Sequence, residues 1–218
     1  MGRSALAPPR DTFGSALNAL RQRLRGGVDA PGEALPIRLI AAELRISTTP
    51  VREALARLAG ERLVDKVGPT YTRPKLDAIA IAELYRLRWV LLEAALSARA
   101  ERNARPRRLP ARPPPGLEAM APGEAIEALF LELVLRADDL MLAQAYQATA
   151  QRLAPLLRHE AQLVDDGEDE ARLLTGLFER GDGPGLKTGA RRYHQRRILL
   201  AASIFRASAG EKYRPDMI

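Results

Sequence analysis

The chain has 218 residues and no cysteine, which excludes disulfide scaffolds, thiolate metal sites and cysteine nucleophiles. It carries 34 Lys and Arg against 27 Asp and Glu, a formal net charge of +7; this fits phosphate contacts and salt-sensitive association with a nucleic acid, but it equally fits a solvated, Arg-rich surface, so the charge alone decides nothing. No run of about 18 or more apolar residues is present, which excludes a membrane-spanning helix and leaves a cytoplasmic location as the expectation.

At the start, MGRSALAPPR lacks the apolar core of a signal peptide and reads as unstructured. Phe13, Leu17, Leu20 and Leu24 then recur at helical spacing, which predicts a packing helix. PIRLIAAELRI follows with Ile37, Ile40, Ala41 and Leu44 on one stripe, a second, shorter helix. The most informative stretch is STTPVREALARLAGERLV, residues 47–64. Pro50 suits a first helical position, because its φ is fixed and its missing N–H would be unpaired there, and Thr49 before it reads as the N-cap. Val51, Ala54, Leu55 and Leu58 share one face, while Arg52, Glu53 and Arg57 lie off it and can reach outward.

Two short helices joined by little more than Ile46 to Thr48, the second basic and capped, form the pattern of a helix-turn-helix. LVDKVGPTYTR comes next, with Val64, Lys66 and Val67 before Gly68-Pro69 and Thr70, Tyr71 and Thr72 after it. Two β-prone runs around such a turn predict a hairpin, the wing of a winged helix. The expected domain covers residues 11–75.

Residues 76–210 read as an all-helical bundle, so the expected fold class is mainly α: an N-terminal winged helix-turn-helix domain followed by a C-terminal helical domain. From Leu76 to Asn103, Ile81, Leu84, Leu87, Leu91, Ala95 and Ala98 fall on a stripe behind a cap at Asp77. Four more helical segments are expected: Glu124 to Arg136, Asp138 to about Val164, Glu168 to Arg180, and Lys187 to about Ala209. Between the first two, ARPRRLPARPPPG, residues 104–116, cannot stay helical and is expected as an extended, polyproline-like loop. Its Arg105, Arg107, Arg108 and Arg112 read as solvated rather than as phosphate contacts.

Catalysis finds little support. VDDGEDE, residues 164–170, lacks the spacing of a calcium loop and reads as a turn that caps the next helix. No Gly-rich phosphate loop, Ser-His-Asp set or His-Glu-x-x-His occurs, so the chain is not expected to be an enzyme. RRYHQRRILLAASIF, residues 191–205, is basic and then apolar; a terminal bundle helix is preferred over a membrane-surface helix.

TPVREAL, Thr49 to Leu55, preceded by PGEAL (Pro31 to Leu35) and followed by Leu63-Val64, resembles the GntR family of bacterial transcription regulators. The resemblance implies a homodimer whose two recognition helices enter the major groove of a double-stranded, roughly palindromic DNA operator, acting as a repressor. By position it implies Ser47, Thr48, Thr49 and Arg52 as DNA contacts, with Arg45 as a further basic group, and Lys66, Gly68 and Arg73 of the wing against the backbone or minor groove. One departure is plain: the family usually reads Ser-Arg-Thr-Pro, and this chain reads Ser47-Thr48-Thr49-Pro50. A bidentate arginine contributes about 1–3 kcal/mol of base discrimination, so a different base preference is expected. Arg62 also stands where the family tends to have glycine, and Gly60 is the expected stand-in. The alternative function is a protein-interaction module derived from a winged helix, its lost operator marked by the missing arginine at position 48.

In the second half, Leu84-Tyr85-Arg86-Leu87-Arg88 with Leu92-Glu93, then Leu129-Phe130, Gly181-Asp182 and Arg191 to His194, resembles the effector-binding and dimerisation domain of the family's FadR-type branch. Many such domains hold a metal on an acidic residue and three histidines. By position these fall near Glu127, at Leu131, near Ala171 and at His194, and two of the four are apolar, so no metal or other cofactor is expected. The implied effector pocket lies around Arg88, Glu127, Arg136 and His194. It either takes a small organic acid, since arginine pairs bidentately with carboxylates, or has closed and become structural; Arg88 and Arg136 equally fit ordinary ion pairs. His194 reads as a core or pocket residue, and His159, beside Arg158 and Glu160, as solvent-exposed.

Overall fold

The computed structural model describes residues 11–102 and 114–210, the side chains of 99–102 excepted. MGRSALAPPR and the arginine-bearing part of the proline-rich stretch, residues 104–113, lie outside the described residues. The chain divides into two compact units, with the boundary between Lys75 and Leu76.

The N-terminal unit opens with α1 (Thr12–Gly26), started by Asp11, whose carboxylate accepts from the Gly14 amide at 2.8 Å. Its core-facing residues are Ala16, Leu20 and Leu24, one turn apart. Phe13, expected on that stripe, is more than a third exposed, and Leu17 lies at its edge; the packed face is turned toward Ala16, whose small side chain admits close approach of the neighbouring helix. α2 (Ile37–Leu44) and α3 (Thr48–Gly60) follow, joined by Arg45, Ile46 and Ser47. The turn closes through Arg45 in the left-handed region at φ 55°. The Arg45 and Ile46 amides donate to the carbonyls of Ala42 and Ala41, at 3.2 and 3.0 Å.

α3 begins two residues earlier than the sequence pattern indicates. Ser47, not Thr49, precedes its first residue, and Pro50 is the third helical residue instead of the first. The proline is tolerated there because none of the first-turn amides has an intrahelical partner.

The wing consists of β1 (Asp65–Val67) and β2 (Thr70–Thr72), paired antiparallel with Val67 opposite Thr70. Gly68, at φ 58°, takes the first position of the two-residue turn. Pro69 cannot adopt positive φ, so the turn is of the type that needs a left-handed residue only at its first position. A third chain segment joins the wing: Leu35 donates to Tyr71 at 2.8 Å, Arg73 to Glu33 at 2.9 Å and Gly32 to Arg73 at 2.8 Å. Residues 32–35 thus tie the approach to α2 onto the wing through an isolated bridge, Ala34 opposite Thr72, beside the two-stranded sheet.

α3 ends in a left-handed cap that falls on Arg62, φ 58°, and not on Gly60, which remains helical with open space around its Cα. The Leu63 and Arg62 amides close the cap on the carbonyls of Leu58 and Ala59, at 2.9 and 3.0 Å.

The C-terminal unit is all-helical. α4 (Ala78–Arg102) starts at Asp77, whose carboxylate accepts from the Ala80 amide at 2.7 Å. After a 3-10 turn at Leu117–Ala119 come α5 (Pro122–Leu135), α6 (Leu140–Leu153), a 3-10 turn at Ala154–Leu156, α7 (Leu157–Glu160), α8 (Gly167–Glu179) and α9 (Gly183–Ser208). The single helix expected from Asp138 to Val164 is therefore interrupted around Pro155, which has no amide to give and collides with the preceding turn. α9 starts four residues before Lys187, with Asp182 accepting from the Gly185 amide at 2.9 Å and Pro184 in its first turn. On α4 the buried stripe is Ile81, Leu84, Tyr85, Arg88, Leu92 and Ala95. Leu87, expected inside, is about half exposed, and the polar residues Tyr85 and Arg88 take the interior instead.

The cap at Arg62 yields a paired prediction. A non-glycine residue held left-handed costs about 1 kcal/mol, and a helical glycine costs about 0.5–1 kcal/mol relative to alanine. Arg62→Gly and Gly60→Ala are each expected to stabilise the chain by about 0.5–1 kcal/mol in urea unfolding. A loss of stability in Gly60→Ala would place the left-handed cap at Gly60 after all.

Candidate nucleic-acid interface and buried polar cluster

Pro50, Val51, Ala54, Leu55 and Leu58 are buried, so α3 must present its other face outward. Ser47, Thr48, Thr49 and Arg52 are all exposed at that face, and Arg45 is exposed in the turn before it. The Ser47 side chain makes no capping bond, and the first turn of α3 contains no acidic residue. The first-turn amides, three exposed hydroxyl side chains and the exposed Arg45 and Arg52 therefore lie at the N-terminal end of one helix, an arrangement suited to phosphate oxygens and base edges. Lys66 and Gly68 are exposed on the wing, and the Lys66 ammonium lies 5.9 Å from the Tyr71 ring centroid.

Arg73 corrects one expectation. It is buried, and its guanidinium donates to the Asp29 carbonyl while the Asp29 carboxylate takes a bidentate pair from Arg23 at 2.7–3.0 Å. It braces the loop before α2 and does not face a nucleic acid. The signal was available, because side chains two apart on a strand share a face, and Tyr71 faces inward. Arg57, expected to reach outward, is exposed but pairs with Glu61 at 2.8 Å, which Arg21 of α1 also grips.

In the C-terminal unit, three of the four pocket residues named from the sequence come together. Arg88 is fully buried; its Nε donates to His194 Nε2 at 3.1 Å and its Nη1 pairs with Glu127. Burial opposes its charge, but Glu127 and the nearby tyrosines outweigh that, so its pKa is raised. His194 is pushed the other way, first by burial and then by the Arg88 charge, and stays neutral. Its Nδ1 lies 2.7 Å from the Ala190 carbonyl; with Nε2 accepting from Arg88, Nδ1 carries the proton. The fourth residue, Arg136, lies past the end of α5, pairs with Glu132 at 2.6 Å and covers the Phe178 ring.

Tyr146 and Tyr193 were not singled out in the sequence, yet both are fully buried beside Arg88. Among the described residues the Tyr146 and Tyr193 hydroxyls and Arg88 Nη2 make no hydrogen bond of normal geometry, although the Tyr193 hydroxyl lies against Arg88 and helps to raise its pKa. Burial raises both phenol pKa values, so these groups remain protonated donors.

The residues present do not fit a metal. Glu127 and His194 both face the guanidinium of Arg88, Leu131 and Ala171 pack against the apolar core, and no group of three or more His, Cys, Asp or Glu suited to a metal occurs among the described residues.

A second buried cluster continues from the first. Arg197 lies 3.4 Å from the Tyr193 ring centroid, donates to Glu160 at 2.9 Å and pairs with Glu170 at 2.8 Å, while the Tyr85 hydroxyl donates to Glu160. Burial raises Glu160 to about 7, with Arg197 opposing the rise and Glu170 adding to it. His159, the neighbouring residue, is half-buried beside Arg158.

The N-terminal unit thus has the geometry of a winged-helix DNA-binding domain: three helices, a short wing and a basic, unpaired helix start. Residues 14–68 match the family model for the bacterial regulatory proteins, gntR family, and the N-terminal unit is a GntR-family domain. No curated protein matches the chain. Among solved structures, E. coli McbR/YncC is 21% identical with a TM-score of 0.68, over 88% of this chain and 98% of that one. The structure of Lar, which controls the expression of the Listeria monocytogenes agr system, is 14% identical at 0.54, over 93% and 99%. A putative transcriptional regulator GntR from Rhodococcus sp. RHA1 is 22% identical at 0.50, over 86% and 97%. At these identities the likeness establishes a shared fold across both units. No helix among the described residues is long and apolar enough to cross a membrane.

Glu160 sets a pH dependence. The folded chain holds its proton up to about pH 7, whereas an unfolded carboxyl releases it near 4.5. Unfolding therefore releases a proton between these values, and Glu160 makes stability fall as pH rises through that window, by up to about 1.4 kcal/mol per unit. In urea unfolding between pH 5 and 7, Glu160→Gln is expected to gain on wild type as pH rises; a constant difference would show that Glu160 titrates normally.

Proposed function

We propose that the chain is a sequence-specific, DNA-binding regulator of transcription that acts as a homodimer on a roughly palindromic operator, most simply as a repressor. The observation that carries this is the division of α3: one face is sealed into the core, and Ser47, Thr48, Thr49 and Arg52 are left exposed at its N-terminal end. Arg45 precedes them and Lys66 and Gly68 stand on the wing, which supports a groove-entering helix flanked by phosphate contacts. Thr48 stands in place of a larger basic side chain, so base reading rests on Arg52, with Arg45 as a second guanidinium. The GntR-family match over residues 14–68 supports the same reading.

For the C-terminal unit we propose the role of the FadR-type branch, dimerisation and binding of a small organic acid. Among the described residues Arg88 Nη2 and the Tyr146 and Tyr193 hydroxyls are buried donors that make no hydrogen bond of normal geometry, which favours a carboxylate as the group that would satisfy them. Two half-sites read by one dimer gain affinity over a single one, and they would be spaced near one helical turn of DNA.

The test is fluorescence anisotropy on DNA selected from a random pool by the wild-type protein, with nonspecific competitor and a salt series. Arg52→Ala is expected to lose about 1–3 kcal/mol on selected DNA, and Lys66→Ala to weaken all sequences alike and lower the salt slope by about one. Weak binding that ignores both substitutions and salt would favour an apolar protein-interaction module over a DNA reader.

A further inference from the structure

Three helices of the C-terminal unit each bring one polar side chain to the same buried point. Arg88 comes from α4, Glu127 from α5 and His194 from α9. A carboxylate and a neutral imidazole whose free lone pair is aimed inward are groups that a divalent cation takes readily. In this chain the cation they meet is the Arg88 guanidinium, through Nη1 to Glu127 and through Nε to His194 at 3.1 Å.

We propose that Arg88 is a covalently tethered replacement for a divalent metal ion, supplying the positive charge that neutralises Glu127 and satisfies His194 and so joining α4, α5 and α9 without any bound metal. A guanidinium suits this task because it stays charged at every working pH and presents its donors in a fixed plane. Its charge is also balanced from the sides, by the Tyr85 ring at 4.9 Å and the Tyr193 ring at 5.4 Å. A carboxylate on one edge, an imidazole on the other and aromatic faces along the plane make up the surroundings of a built cation site. Leu131, one turn beyond Glu127 on the same helix, and Ala171 on α8 are apolar and give a metal no further ligand.

The exchange should be reversible by substitution. Arg88→Ala removes the tethered cation and leaves Glu127 and His194 facing the space it filled. Leu131→His in that background adds a second imidazole one helical turn from Glu127, which makes three ligands of the kind zinc takes.

The experiment is thermal unfolding of the full chain, with elemental analysis of the purified protein, for wild type, Arg88→Ala and Arg88→Ala/Leu131→His, each in EDTA and in excess Zn²⁺. Wild type is expected to carry no stoichiometric metal and to gain nothing from Zn²⁺ relative to EDTA. Arg88→Ala should unfold several degrees lower in EDTA, and Zn²⁺ should raise the midpoint of the double variant by roughly 5 °C or more. A wild-type protein that purifies with one metal per chain, or that loses its fold in EDTA, overturns the proposal. A double variant that responds to Zn²⁺ no more than wild type does the same. If neither variant folds in any condition, the wild-type metal content and EDTA response decide alone.

Discussion

The burial of one face of α3 is the constraint from which the N-terminal unit follows. Val51, Ala54, Leu55 and Leu58 are fully sealed against α1, α2 and the wing, and a Val or Leu side chain so buried contributes about 1.5–3 kcal/mol. That face sets the rotation of the helix, and rotation leaves Ser47, Thr48, Thr49 and Arg52 outside. The turn from α2 must then be tight enough to bring α3 back across, which is why Arg45 accepts a left-handed backbone at φ 55°. The wing is held in step by residues 32–35 pairing beside β2, and this edge is pinned in turn by Arg73 and Arg23 closing on Asp29. Polar anchors at the periphery and an apolar seal at the centre make helix and wing one piece.

The C-terminal unit is organised differently, around charges inside its core. Glu127, Arg88, the Tyr193 ring, Arg197 and the Glu160–Glu170 pair follow one another through the bundle, linking α5, α4, α9, α7 and α8. Buried ion pairs of this sort add little net stability compared with apolar packing, because desolvation offsets their attraction, but breaking one partner out costs several kcal/mol. Their effect is to specify which helices meet and in what register. The same low-dielectric setting lifts Glu160 toward neutrality and keeps His194 uncharged.

Much of this was legible in the residues. The helix-turn-helix and the hairpin could be read because their burial is one-sided and periodic and because Gly68-Pro69 punctuates the turn. What escaped depends on tertiary partners. Arg73 looks like a wing contact by residue type, and only its alternation with Tyr71 and the distant Asp29 carbonyl draw it inward. On α4 a hydrophobicity stripe selects Leu87, whereas the fold buries Arg88 because, far along the chain, Glu127 compensates its charge and His194 accepts its Nε–H. Glycine frequency favoured Gly60 as the helix cap, but the left-handed position is set by where α3 must stop for Leu63 to pack, and that position is Arg62. Tyr146 and Tyr193 were passed over because an aromatic at helical spacing carries no sign of whether its hydroxyl finds a partner.

Entry of the N-terminal end of α3 into a DNA groove, as proposed, can be read by directed cleavage. The natural chain has no cysteine, so Thr49→Cys carries a single site for an iron chelate, and Thr188→Cys, exposed on α9, serves as the control. On DNA that the wild-type chain selects, the chelate at position 49 should cut within a few base pairs of the centre of each half-site, on both strands, while the one at position 188 should not reproduce that pattern. Cleavage that is absent from position 49 although the variant still binds, or that is spread evenly along the duplex, would contradict the placement of α3 in the groove.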